Sequence, residues 1–175
     1  MNFGNFITSY TGLIHFITSV VAMLVGTFVL AMEKGTSRHK RIGKLYGLTM
    51  CIVLVSAFMT YRLFGTWGIF HWTAVLSTLT LVCGLVPVFT KRPKNNYGSL
   101  HFGFMYWSVM GVYGAFVSET LVRMPKVAVE SGIPNSVFYN LTGIGTGLVM
   151  ALGVFFFLKL KPKWDNQFKA LNLSQ

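Results

Sequence analysis

Five long apolar stretches separated by short polar turns organise the chain, at positions 6–32, 44–64, 67–90, 100–122 and 137–158. A helix needs roughly 20 apolar residues to cross the hydrocarbon core of a bilayer, and each stretch reaches that length. None alternates with period two, so a closed barrel is excluded, and helices are the remaining way to satisfy a backbone in lipid. The pattern predicts an all-α fold, a polytopic membrane bundle of five transmembrane helices. Boundary signals agree. Lys91, Arg92 and Pro93 close the third stretch, and Pro134, Asn135 and Ser136 cap the fifth. The division is one transmembrane domain over 1–160 and a basic tail over 161–175. Trp164 and Phe168 interrupt the tail's charges and are expected to rest on the inner leaflet.

Charge sets the expected orientation. Lys34, Arg38, Lys40, Arg41 and Lys44 fall between the first two stretches, and Lys91, Arg92 and Lys94 between the third and fourth. Lys159, Lys161, Lys163 and Lys169 follow the fifth, whereas the other side carries only Arg62, Arg123 and Lys126. Lysine and arginine favour the cytoplasmic face. The N-terminus is therefore expected outside and the C-terminus in the cytoplasm, in a bacterial inner membrane. Composition supports lipid as the main partner, because 53% of residues are hydrophobic and only 11% charged. The net charge of +11 would suit nucleic acid, but its clustering between apolar runs argues for no nucleic-acid partner. The first stretch lacks a basic leader and a small-residue cleavage site, so it reads as a retained span. Cys51 and Cys83 lie inside apolar runs and are expected as buried small hydrophobes.

Ionisable groups inside spans are costly and tend to mark function. In the first span Gly12, His15, Ser19, Ala22 and Gly26 form one small, weakly polar stripe. In the fourth, His101, Met105, Ser108, Val112, Ala115 and Glu119 form another, and in the third His71, Ala74 and Thr78 share a face. Measured along the helices, His15, His71 and Glu119 fall at one level, roughly 5 Å inside the outer boundary at about 1.5 Å per residue. Arg123 lies one turn above Glu119. A second, weaker tier holds His101, which opens the fourth span, and His39, placed in the basic loop.

Three readings follow. In the first, His15 and His71 ligate haem b, Glu119 and Arg123 support it, and the two tiers suit transmembrane electron transfer with a quinone or another redox partner. In the second, His15, His71 and Glu119 hold Zn or Fe and activate water, as a membrane hydrolase or oxidoreductase would. In the third, these groups only hold helices in register, with no cofactor. Whether the protein is an enzyme stays open. Gly143, Gly145 and Gly147 suggest close packing against another helix, within the chain or in a homo-oligomer.

The same residues carry a family resemblance. His15, then Lys34-Gly35-x-x-x-His39-x-x-x-Gly43-x-x-Tyr46, His71, His101 and Glu119-x-x-x-Arg123 resemble the bacterial predicted-membrane-protein family known as domain of unknown function 2306. One position departs, since Lys40 follows His39 where the pattern has arginine. The resemblance implies an integral membrane protein and names no activity. The lysine-glycine and histidine-glycine spacing is also similar to loops of b-type transmembrane cytochromes.

Overall fold

The computed structural model describes residues 10–60, 65–123, 129–130, 133–134 and 136–173. Helices α1 (Tyr10–Ala31), α2 (Ser37–Phe58), α3 (Ile69–Thr90), α4 (Tyr97–Arg123) and α5 (Ser136–Leu173) make up nearly all of it. All five are long and apolar enough to cross a membrane. Between α4 and α5, β1 (Val129–Glu130) and β2 (Ile133–Pro134) form one small antiparallel pair.

Local chemistry places the helix ends. Thr36 caps α2, its Oγ1 accepting the His39 N–H at 3.1 Å. Gly68 and His71 open α3 reciprocally. The His71 N–H donates to Gly68 O at 3.0 Å, and the Gly68 N–H donates to His71 Nδ1 at 3.1 Å. Lys91 ends α3 in the left-handed conformation, φ 52°, and Pro93 bars its continuation.

Short connections make successive helices antiparallel. Helix α1 packs on α2, α2 on α3, α3 on α4, and α4 returns to α1, while α5 packs on the outside of α4. The first four helices therefore enclose a core, and α5 is peripheral to it. Ala22, Tyr46, Met50, Ala74, Leu81, Met105, Val109 and Val112 fill that core. The tightest approach is at Gly26, where an added Cβ would lie 2.8 Å from both the Tyr46 ring and Val109. Small residues are what allow helices to approach closely in lipid, where apolar side chains gain nothing by leaving one apolar medium for another. Tyr46 and Ser108 share a buried hydrogen bond at 2.9 Å, which ties α2 to α4.

Three sequence expectations change. Helix α2 begins at Ser37, so His39 lies in its first turn and not in a loop, because the Thr36 cap starts the helix before the apolar run does. Cys51 and Cys83 are free and exposed on the outward faces of their helices, not buried. Helix α5 continues through the tail to Leu173, and Trp164 is covered by protein, not by lipid. It is 5% exposed, against Tyr106 and Phe157. Of the glycine run, Gly145 faces α4 beside Leu121 and Val117, while Gly143 and Gly147 meet nothing within 4 Å.

Candidate functional site

The chain has four histidines, and each of the four core helices carries one near its start: His15, His39, His71 and His101. Antiparallel packing sends the starts of α1 and α3 to one end of the bundle and the starts of α2 and α4 to the other. The histidines thus fall into two pairs, one at the end bearing the basic α1–α2 and α3–α4 loops, the other opposite.

At the basic end His39 and His101 face each other edge to face, with ring centres 6.4 Å apart and planes at 89°. The His101 Nδ1–H donates to Gly84 O at 2.7 Å, so in the neutral ring Nε2 keeps its lone pair. His39 is 8% exposed, and its Nδ1 is buried without a hydrogen-bond partner. Gly43, one turn along from His39, meets nothing within 4 Å, which leaves room beside the imidazole.

Lys34 completes this group, close to both imidazoles. It is only 4% exposed. Its Nζ donates to Val29 O at 3.0 Å and Leu30 O at 2.6 Å, carbonyls in the last turn of α1 that the helix leaves unpaired. The rings of Phe102 and Trp164 stand 5.9 and 5.5 Å from the ammonium. Burial, and then the charge of Lys163, lower its pKa from 10.5 to about 8. Sequence reasoning took Lys34 as one of five loop cations. Its distinguishing signal is its place in the first turn after α1, where a cation meets the helix's free carbonyls.

At the opposite end His15, His71 and Glu119 line one cavity, together with Gly12, Ser19 and Ser77. Helical depth had placed these three ionisable residues at one level, and the bundle brings that level together. His15 Nε2 lies 3.6 Å from Glu119 Oε1. Its Nδ1–H is shared between Val53 O at 3.2 Å and Ser56 Oγ at 3.0 Å. Nε2 therefore faces the carboxylate. His71 is buried beneath the indole of Trp67, ring centres 4.8 Å apart. Its Nδ1 accepts the Gly68 N–H, so the neutral ring carries its proton on Nε2. The side chain of Arg123, with those of Arg62 and Lys126, lies outside the described residues.

A family model described as a predicted membrane protein, DUF2306, matches residues 12–158. The chain belongs to the DUF2306 family. The matched segment takes in all four histidines and Glu119. No curated protein and no solved structure matches the chain.

The two pairs of this DUF2306 protein differ in what they can hold. A metal bound at about 2 Å from each of two opposed imidazoles keeps the ring centres roughly 6–6.5 Å apart. The spacing of His39 and His101 meets that requirement. A ligating histidine usually donates its other N–H to a carbonyl, which fixes the tautomer, as His101 does to Gly84. A buried cation beside the pair suits the carboxylates of a haem. The opposite end does not fit a haem held by His15 and His71. Its cavity is about 110 Å³, smaller than the roughly 150 Å³ that takes one benzene ring. The His71 Nε2–H would also have to be lost before that nitrogen could ligate. Nor do the residues fit the Zn or Fe reading, since among the described residues no three His, Cys, Asp or Glu side chains gather around one point.

Proposed function

We propose that this membrane protein binds one b-type haem between His39 and His101 and passes electrons within the bilayer. The observation that carries the reading is the pair of imidazoles brought together from α2 and α4, ring centres 6.4 Å apart. Haem would supply the one-electron chemistry when bound. The chain's own part is to hold the two imidazoles apart and to fix the His101 tautomer through Gly84 O. Lys34 places a positive charge next to them, with the Trp164 ring 5.5 Å from its ammonium. The orientation proposed from charge puts this end in the cytoplasm, facing a soluble redox partner.

The test is an absorption spectrum of the detergent-purified protein, as isolated and after dithionite. A Soret band that shifts on reduction, lost in His39→Ala and in His101→Ala and kept in His71→Ala, supports the assignment. A band lost only on changing His15 or His71 moves the haem to the other end. A flat spectrum from cells supplied with haem overturns the reading and leaves the buried polar contacts as helix fasteners.

A further inference from the structure

The cavity at the end away from the basic loops offers a different chemistry, and its argument does not rest on haem at the other end. It opens among the four core helices and is lined by His15 of α1, Thr60 just past α2, Thr73 of α3, and Glu119 and Thr120 of α4. His15 is the sixth residue of α1 and Glu119 the fifth from the end of α4, so the cavity lies inside the spans. A carboxylate at that depth is costly unless a counter-charge or donors stand against it.

These five side chains present acceptors to the cavity. The His15 Nδ1–H goes to Val53 O and Ser56 Oγ, so Nε2 of the neutral ring offers a lone pair. Glu119 Oε1 lies 3.6 Å from it, beyond hydrogen-bond length. Two acceptors that face each other call for a donor beside both. Three hydroxyls add to them. Thr60, Thr73 and Thr120 give their protons to Ser56 O, Phe70 O and Phe116 O at 2.7, 2.8 and 2.7 Å, which leaves only lone pairs to offer a ligand. A carboxylate has about four lone-pair directions, so Glu119 can keep its other contacts and still accept. Phe16 and Phe116, ring centres 6.4 Å apart, also line the space, and aromatic faces attract a cation. Size narrows the class further. A cavity of about 150 Å³ takes the carbons of one benzene, so one of about 110 Å³ takes roughly four heavy atoms in proportion.

We propose that this cavity binds a primary ammonium group with its first methylenes, free or carried by a lipid headgroup, donating to His15 Nε2 and to the Glu119 carboxylate. An ammonium has three N–H donors and no acceptor, the complement of these side chains. Its charge offsets that of Glu119, and its methylenes lie against the apolar part of the lining. A quaternary ammonium brings the charge without a donor, and a metal cation brings it without methylenes, so neither matches as well.

The probe is butylammonium chloride, titrated into the protein in detergent at constant ionic strength and followed by calorimetry and thermal unfolding. Saturable binding is expected, weakened roughly tenfold or more in Glu119→Gln. Thr120→Val removes one acceptor and keeps the side chain's shape, and should weaken binding about two- to tenfold. Asn140→Ala, on the exposed face of α5, should bind as the parent does. Tetramethylammonium chloride and sodium chloride should neither saturate the site nor compete. Absence of saturation by butylammonium overturns the proposal, as does equal binding of tetramethylammonium, or undiminished binding in either Glu119→Gln or Thr120→Val. Native mass spectrometry from micelles holding phosphatidylethanolamine and phosphatidylcholine of the same acyl chains assigns the source. Preferential retention of the ethanolamine lipid, lost in Glu119→Gln, points to the headgroup, and equal retention with butylammonium binding intact points to a free amine. Because none of these readouts uses a haem band, a flat visible spectrum with saturable amine binding sinks the haem reading alone.

Discussion

His39 and His101 meet edge to face at 6.4 Å, although 62 positions separate them in the chain. The sequence placed both in the weaker tier, His101 at the start of the fourth span and His39 in the basic loop. The haem proposal rests on this pair and not on His15 and His71.

If these imidazoles are axial ligands, changing one to a thioether should alter the potential in a known direction. Methionine opposite histidine raises the reduction potential of haem iron relative to two histidines. His101→Met should therefore retain some haem and titrate at a more positive midpoint. A haem-bound variant with an unchanged midpoint would show that His101 is not a ligand.

Lys34 makes the basic end pH-sensitive. Its pKa in the folded protein is about 8, against 10.5 for the free side chain. Between those values the unfolded chain binds more protons than the folded one, so stability rises with pH across that window. Below about 8 both states are charged and the full cost of burying the ammonium is present. Thermal unfolding in detergent at pH 7.5 and 10 should show this gain, and Lys34→Met should abolish it. An equal pH response in Lys34→Met would assign the effect to other lysines.

Gly26 allows α1 to sit against Tyr46 and Val109. An added Cβ at 2.8 Å from each forces the rings or the helix aside, and overpacking of this kind costs about 1–3 kcal/mol. Gly26→Ala should lower stability by that amount. Gly43→Ala, where a Cβ meets nothing within 4 Å, should be neutral or stabilising by about 0.5–1 kcal/mol, since alanine favours the helix. Equal losses at both positions would mean that close approach is not what Gly26 supplies.

Tyr46 and Ser108 are almost fully buried and bonded at 2.9 Å. Tyr46→Phe should cost about 1 kcal/mol, because it leaves a buried hydroxyl without this partner. A double-mutant cycle with Ser108→Ala should return a coupling of about 0.5–1 kcal/mol. Strict additivity would show that the contact does not fasten α2 to α4.

Much of the site was legible along single helices. The stripe of Gly12, His15, Ser19, Ala22 and Gly26 points inward, the first three lining the cavity and the last two buried. Depth counting put His15, His71 and Glu119 on one level, and they share one cavity. Period and rise are properties of one helix, so such inferences survive without a tertiary structure. Two others failed because they depend on a neighbour. His39 was assigned to a loop because its surroundings are basic, yet a threonine cap starts α2 before it. Trp164 was assigned to the leaflet because it lies in a charged tail, yet Tyr106 and Lys34 supply a better partner. The tautomer of His71 depends on the Gly68 N–H, and no spacing reports that.

What the amino-acid order determined alone is the number of spans, their approximate ends, and the presence of a histidine near the start of the first, third and fourth. Long apolar runs permit no other backbone arrangement in lipid, and charge marks the turns between them. What the tertiary structure decided is which histidines meet. Lipid gives apolar side chains little reason to prefer one another, so neighbours are chosen by close approach at small residues such as Gly26 and by hydrogen bonds such as Tyr46 to Ser108. Those contacts join positions far apart in the chain, and they close α1 to α4 into the ring that brings His39 to His101 and His15 to Glu119.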